Sequence, residues 1–432
     1  MDIIKSSLAS LRAIISPLTA LFLGTAFVCC GYASLSSIFA MKLNQSETPT
    51  SIAGIILAMY YLGSVLAAVS ASHFINKVGH IRVFSAFASL LSALVLAHAF
   101  SPNHLYWALL RFGEGYCIGT ITMCLESWIN TRANNSNRGL IMAVYMITTY
   151  LGASLGQLFL IIPDPSGYML YIMISILFSI ALLPVSMTAL RVPKIQNYKS
   201  MSYRKAYEAS PVGFVCCITS GILIGTFYTL GTIYATDMGL AIQDVSMFMF
   251  FGVFGGLVAQ YPLGKLSDRM DRRYVLTGIC AVLVFLAPLI HFMINGGNAS
   301  LIISTMLLGS CIFTLYPISV SHVNDLISDD ERLHASGMLI LAQYLGLIIG
   351  PIIVSLAMQY IGASMFAFSF SIVSIGFVAF TFRHIRKKPD INYISNTPTT
   401  PIPVAPTQAF NELSQDDTIT DRAKELFLKK IN

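Results

Sequence analysis

Ser72-His73-Phe74-Ile75-Asn76-Lys77-Val78-Gly79-His80-Ile81-Arg82-Val83 returns in outline, 192 residues on, as Gly264-Lys265-Leu266-Ser267-Asp268-Arg269-Met270-Asp271-Arg272-Arg273-Tyr274-Val275. Each stretch is a basic, turn-like island between two long apolar runs. The register continues outward from the islands. At an offset of 194, Gly115 matches Gly309, Asn130 matches Asn324 and Arg138 matches Arg332. Tyr150-Leu151-Gly152 matches Tyr344-Leu345-Gly346, and Gly156 matches Gly350. Agreement at one register, in equivalent runs, predicts two homologous halves.

The apolar runs set the environment. Of 432 residues, 55% are hydrophobic and 11% charged. Soluble domains carry roughly 25% charged residues, and each run is near the ~20 residues that a helix needs to cross the hydrocarbon core. The sequence predicts twelve spans: 14–41, 50–74, 82–101, 104–129, 138–162, 167–189, 211–237, 243–264, 274–294, 299–324, 334–359 and 362–382. The expected fold class is an all-α membrane protein with twelve transmembrane helices in two homologous six-helix halves. The halves are residues 1–190 and 211–385, joined by a central link, 191–210, and followed by a tail, 386–432. Lys5 and Arg12 before the first run resemble a signal peptide, but that run exceeds a 7–15-residue h-region, so an uncleaved first span is expected.

Basic residues orient the spans. With the N-terminus in the cytoplasm, the inner side receives Lys5, Arg12, Lys77, Arg82, Arg132, Arg138, the link, Lys265, Arg269, Arg272, Arg273, Arg332 and the tail. The outer side receives only Lys42, and Arg111 lies within a span. Both termini are therefore expected inside, in a bilayer and not on nucleic acid: the net charge of +6 is spread over short loops. The eight cysteines (Cys29, Cys30, Cys117, Cys124, Cys216, Cys217, Cys280, Cys311) all lie in apolar runs and read as small hydrophobes, with no metal-ligand spacing. Asn396 to Gln408, rich in Pro and Thr, predicts an extended tail, with a short amphipathic helix near 418–431.

These residues resemble the major facilitator superfamily, whose signature between spans two and three is roughly G-x-x-x-D-R-x-G-R-R/K. The second island matches through Gly264, Asp268, Arg269, Arg272 and Arg273, and departs at Asp271. The first keeps Gly79 and Arg82 but has Ser72 for Gly, Asn76 for the acid and Lys77 for Arg. Val78 to Phe84, Glu126-Ser127-Trp128-Ile129-Asn130 and Asn137-Arg138-Gly139 look like the YcaD-like bacterial branch. The resemblance implies a two-half rocker in the bacterial inner membrane, with Asp268 and its arginines as a cytoplasmic latch and a weaker one at Asn76.

Leu110-Arg111-Phe112-Gly113-Glu114-Gly115 resembles the family's R-x-x-Q-G motif, with Glu114 for Gln. An arginine in mid-span costs roughly 2.5–3.5 kcal/mol on insertion scales and is usually paired or wet. Glu114, three residues on, shares its helix face. The pair recognises a polar or anionic solute, relays a proton, or does both; otherwise it fixes helix packing, or Arg111 snorkels toward the outer surface. In the superfamily, spans one, four, seven and ten line the cavity, which implies Tyr32, Tyr116, Thr120, Thr226, Tyr228, Thr229, Ser310, Thr314 and Tyr316. Gln157, Gln260 and Gln343 add amides, and Glu126 is a coupling group, an interfacial anchor, or a loop-side partner of Arg132 or Arg138. His322 reads as hydrogen-bonded, and Tyr316-Pro317 as a place where the tenth helix loosens.

The exporter pattern G-x-x-x-G-P is incomplete in the first half, where Gln157 follows Gly156, and present in the second, from Gly346 to Pro351. The expected function is secondary active transport of a small solute by alternating access. It is expected to be proton-coupled, monomeric, and without metal or bound cofactor. An uptake symporter or facilitator, or a non-transporting transceptor, is the alternative. No H-E-x-x-H, G-x-S-x-G or phosphate-binding glycine loop is present, so an enzyme is not expected.

Overall fold

A computed structural model describes residues 16–131, 137–164, 167–187, 207–208, 210–327 and 329–387. Lys5, Arg12, Arg132, most of the link and the tail beyond 387 lie outside the described residues, as do the side chains of Arg138 and Arg332. Twelve long helices are described: α1 (Thr19–Gln45), α2 (Thr50–Val78), α3 (His80–Ala97), α4 (His104–Thr131), α5 (Arg138–Gln157) and α6 (Met169–Ser186) in the first half. The second half has α7 (Pro211–Asp237), α8 (Ile242–Arg269), α9 (Arg272–Met293), α10 (Asn298–Asn324), α11 (Asp329–Ile361) and α12 (Met365–Lys387). Eleven of them contain a membrane-length apolar window. The exception, α4, holds Arg111, Glu114 and Glu126, whose charges lower its hydropathy.

Helix ends follow local chemistry. Ser210 caps α7, accepting from the Gly213 amide at 3.1 Å, with Pro211 in the first turn where its missing N–H costs nothing. Gly79, at φ +90°, both ends α2 and starts α3 in one residue, a conformation that favours glycine. Its counterpart Asp271 has φ −57° and turns the corner by capping, its carboxylate accepting from the Arg273 amide at 2.8 Å. The α10 helix runs on through Pro317.

The packing repeats with the sequence. A Cβ on Gly115 would overlap the Tyr60 carbonyl oxygen, and one on Gly309 would overlap that of Gly252. Likewise Gly63 meets the Phe112 carbonyl and Gly255 that of Met306. Gly156 meets Cys30, and Gly350 meets Ile222. Each pair is related by the 192–194 register, so both halves use the same bare-backbone crossings of α2 on α4 and α1 on α5. In a bilayer such close approach, not hydrophobic burial, drives helix association.

The halves touch along α1–α7, α2–α11 and α5–α8. At the end carrying the α1–α2 loop, Asn44 donates to Asp237 (3.1 Å) and the Ser51 amide to Gln359 (3.0 Å). Nearer the middle, Ser246 donates to the Gln157 carbonyl (2.8 Å) and Gln260 to the Tyr150 hydroxyl (3.1 Å).

Candidate functional site

A cavity of ≈ 240 Å³ lies between the halves. Eight tyrosines line it: Tyr32 of α1, Tyr60 and Tyr61 of α2, Tyr145 and Tyr150 of α5, Tyr228 of α7, Tyr316 of α10 and Tyr344 of α11. Each presents an apolar ring and one polar tip. Tyr32 stacks on Tyr60 (4.9 Å, 21°) and meets Tyr228 (6.2 Å), so rings of both halves touch at the cavity wall. Farther from the α1–α2 loop the cavity is lined by Glu126, Tyr145, Pro317 and Gln343. Tyr145 donates to Glu126 at 2.6 Å. The Tyr316 hydroxyl is buried and has no hydrogen-bond partner among the described residues.

Arg111 stands behind this wall. Its guanidinium lies 5.1 Å from the Tyr60 ring centre and 5.6 Å from that of Phe39. It donates to Glu114 at 2.9 Å and to Ser36 at 3.3 Å. Arg111 is 2% exposed and Glu114 fully buried, so the pair is dry and far from snorkelling. The second Glu114 oxygen lies 3.3 Å from His98 Nδ1. Periodicity gives no hint of His98, because it follows α3 in what reads as the end of an apolar run. The offset of 194 puts Thr305 and Leu308 opposite Arg111 and Glu114, so the second half has no such pair.

The predicted site residues divide. Tyr32, Glu126, Tyr228, Tyr316 and Gln343 line the cavity. Tyr116 turns away, sharing a 3.0 Å hydrogen bond with Ser70 and packing edge-on to Phe87. Thr120 and Thr314 bond back to their own helices, at Tyr116 and Ser310 (both 2.8 Å). Gln157 is buried, accepting from Ser37 at 2.5 Å. Gln260 bridges the Tyr150 hydroxyl and the Phe313 carbonyl. These last groups join helices and halves, which amides and hydroxyls near a cavity do as readily as they bind ligands.

The two islands differ. Arg272, 4% exposed, donates to Asp268 (2.9 Å), Asp325 (2.8 Å) and Ser267 (2.8 Å), tying α8, α9 and α10 together within the second half. Gly264 is buried and Arg269 exposed. In the first half Asn76, Lys77 and Arg82 are exposed. At Arg272's register stands buried His80, 2.5 Å from the Ser127 hydroxyl. Burial raises the Asp271 carboxyl, but the hydrogen bonds and charge of Arg273 outweigh it and hold the group below its ordinary value. A depressed carboxylate stabilises the fold above its unfolded pKa of about 3.9 and loses that contribution as pH falls through the folded value. Asp271→Ala should therefore cost about 1 kcal/mol or more at neutral pH, through the lost cap. Melting curves should show the difference at pH 7 and its shrinkage near the acid limit; an equal deficit at both would contradict the capping role.

Comparison with known proteins agrees with this architecture. A family model described as Major Facilitator Superfamily matches residues 21–287 and 210–420. An uncharacterized MFS-type transporter of Yersinia enterocolitica is 27% identical over 349 residues, covering 79% of this chain and 89% of its own. The uncharacterized MFS-type transporter YcaD of Escherichia fergusonii is 24% identical over 376 residues, covering 86% and 96%. The crystal structure of the nucleoside transporter NupG superposes with TM-score 0.69 at 14% identity, covering 86% of this chain and 99% of that one. A bacterial homologue of the human lysosomal transporter Spinster, inward-facing and unoccupied, gives TM-score 0.67 at 10% identity, covering 87% and 98%. Duplicated six-helix halves, a cavity at their seam and a family match across both halves make one statement: this chain is a multi-pass membrane transporter, not an enzyme, and belongs to the Major Facilitator Superfamily.

Proposed function

We propose that the chain is a proton-coupled secondary transporter, moving a small amphipathic solute by alternating access in a bacterial inner membrane. The observation that carries this reading is a dry ion pair, Arg111–Glu114, one aromatic ring away from a tyrosine-lined cavity. A buried pair of this kind is costly to keep and is retained in membrane spans chiefly where charge does work. Protonating Glu114 releases a positive guanidinium behind Tyr60, so the cavity's electrostatics change with proton occupancy. An anionic solute then binds more tightly with the proton, as in symport, and a cationic one less tightly, as in exchange. The largely apolar, tyrosine-rich lining favours a solute with a flat apolar body and few polar groups. Inter-half hydrogen bonds at the Asn44–Asp237 end, with basic loops oriented inward, support a state open to the cytoplasm. Both termini then lie in the cytoplasm, and the chain works as a monomer in the bilayer.

Flux into proteoliposomes, with and without an imposed proton gradient, tests this on a panel led by nucleosides, the cargo named for NupG, and by aromatic amines and acids. Accumulation should collapse with an uncoupler, and Glu114→Gln should abolish accumulation while leaving downhill exchange. Flux indifferent to the gradient would mean facilitation. A folded protein that moves nothing on the panel would favour a transceptor.

A further inference from the structure

A second cavity, of ≈ 420 Å³, lies at the Lys42 end of the first half, apart from the tyrosine cavity. Its rim residues Gln45, Ser46 and Pro102 are exposed. Deeper in are His98, Trp107 and Tyr171. The His98 side chain is fully buried. Its Nδ1 lies 3.1 Å from the Leu94 carbonyl, to which it donates, and 3.3 Å from Glu114. Its Nε2 is buried with no hydrogen-bond partner among the described residues. A histidine therefore stands between an outer cavity and a buried carboxylate, with Nδ1 bonded to its own helix but 3.3 Å from a Glu114 oxygen that has no hydrogen-bond partner among the described residues, and Nε2 unclaimed.

Resting on the proton-coupled reading above, we propose that His98 is the residue through which protons reach Glu114, entering from the Lys42-end cavity on a route separate from the solute's. A proton from water in that cavity binds Nε2 and gives imidazolium. Nδ1 then passes its proton to the facing Glu114 oxygen, and the ring returns to neutral with its tautomer exchanged. Across the transfer the cluster's charge rises from zero to +1, and the unpaired charge is Arg111, over the Tyr60 ring. Imidazole suits the step because it has two ring nitrogens, so one can take a proton as the other releases one. The titratable and charged groups around it come from three helices. Glu114, Arg111 and, next to Glu114, Cys117 belong to α4. Tyr171 of α6 stacks on the His98 ring (5.6 Å, 19°). Lys42 of α1 lies 5.0 Å from the Tyr171 ring centre and pairs with Asp164 at 3.5 Å. That pair sets a negative charge against Lys42, the one Lys or Arg among the described residues that line the cavity.

The protein carries its own reporter, needing no substrate. Of its two tryptophans, Trp107 shares the outer cavity with His98, and Phe39 packs edge-on to both (5.0 and 4.7 Å). In Trp128→Phe protein in nanodiscs, Trp107 emission should show a single pH titration. His98→Gln should erase the titration. His104→Gln, which alters the other nearby imidazole (6.5 Å), should leave it intact. Glu114→Gln should lower the midpoint by about one pH unit or more, because the proton loses the carboxylate that receives it and must stay on the ring. No titration, or one that survives His98→Gln or vanishes in His104→Gln, overturns the proposal. Should His98→Gln fail to fold, infrared difference spectra of otherwise unaltered protein decide instead. A protonated-carboxyl band must appear over the same pH interval and be missing in Glu114→Gln; its absence overturns the route. Flux separates the two readings. If gradient dependence is lost in Glu114→Gln but kept in His98→Gln, the entry route fails and the coupling stands.

Discussion

Arg111→Leu should unfold or strongly destabilise the protein and abolish gradient-driven flux. The substitution removes the partner of a fully buried carboxylate, leaving Glu114 facing only His98. Breaking a buried pair by removing one member costs about 3–5 kcal/mol, because the survivor keeps its desolvation penalty without its counter-charge. Arg111→Leu/Glu114→Leu should recover most of that loss, since two apolar side chains of similar bulk carry no such penalty. The double variant should remain inert in uphill transport. Thermal melting in detergent or nanodiscs, beside proteoliposome flux, checks both halves of the claim. A double variant that regains uphill transport would show that the pair serves packing alone. A single variant as stable as its parent would show that Glu114 finds another partner.

Gly115→Ala and Gly309→Ala should be the most damaging small substitutions in the helix crossings, and damaging in different ways. Each new methyl would overlap a carbonyl oxygen of the crossing helix, Tyr60 in one half and Gly252 in the other. The helix must retreat, a penalty at the upper end of the ~1–3 kcal/mol typical of overpacking, or above it. Retreat of α2 also draws Tyr60 off Arg111 (now 5.1 Å); retreat of α8 does not touch that pair. Melting temperatures should fall similarly in both, while uphill flux per folded molecule should fall much further in Gly115→Ala. Gly278, where an added methyl would meet nothing within 4 Å, is the control: alanine there should be neutral or mildly stabilising, by up to ~1 kcal/mol. Equal flux defects in the two crossing variants would uncouple the α2–α4 contact from the ion pair.

The fold is legible in the sequence because span length, charge placement and the 192–194 register each depend on local spacing. Most predicted spans begin within a few residues of the observed helices, and the matched glycines turn out to be the crossings. Hydropathy ends α2 and α8 too early, at 74 and 264, because both helices run past the hydrocarbon into the basic islands, where it gives no signal. Arg111 and Glu114 stand out, since charges in an apolar run are conspicuous. Spacing alone does not separate Tyr32 and Tyr228, which face the cavity, from Tyr116 and Thr314, which do not, because facing depends on how helices rotate against their neighbours. The cavity tyrosines of α2, α5 and α11 escape notice because the resemblance points to spans one, four, seven and ten. His98 is invisible for a related reason: its partner is on another helix.

The bare-backbone crossings recur in both halves, but the Arg111–Glu114 pair does not, and Thr305 and Leu308 occupy its place in the second. The duplicated halves therefore share their packing and differ in their buried charge pairs. The first half carries an ionisable centre that ordinary drift would disarm in one step. The second is held by packing and by a rim cluster around Arg272. On the proton-coupled reading, loss of the first half's charges should therefore end uphill transport, whereas changes at Tyr228, Tyr316 or Gln343 of the second half should bear on which solute is taken.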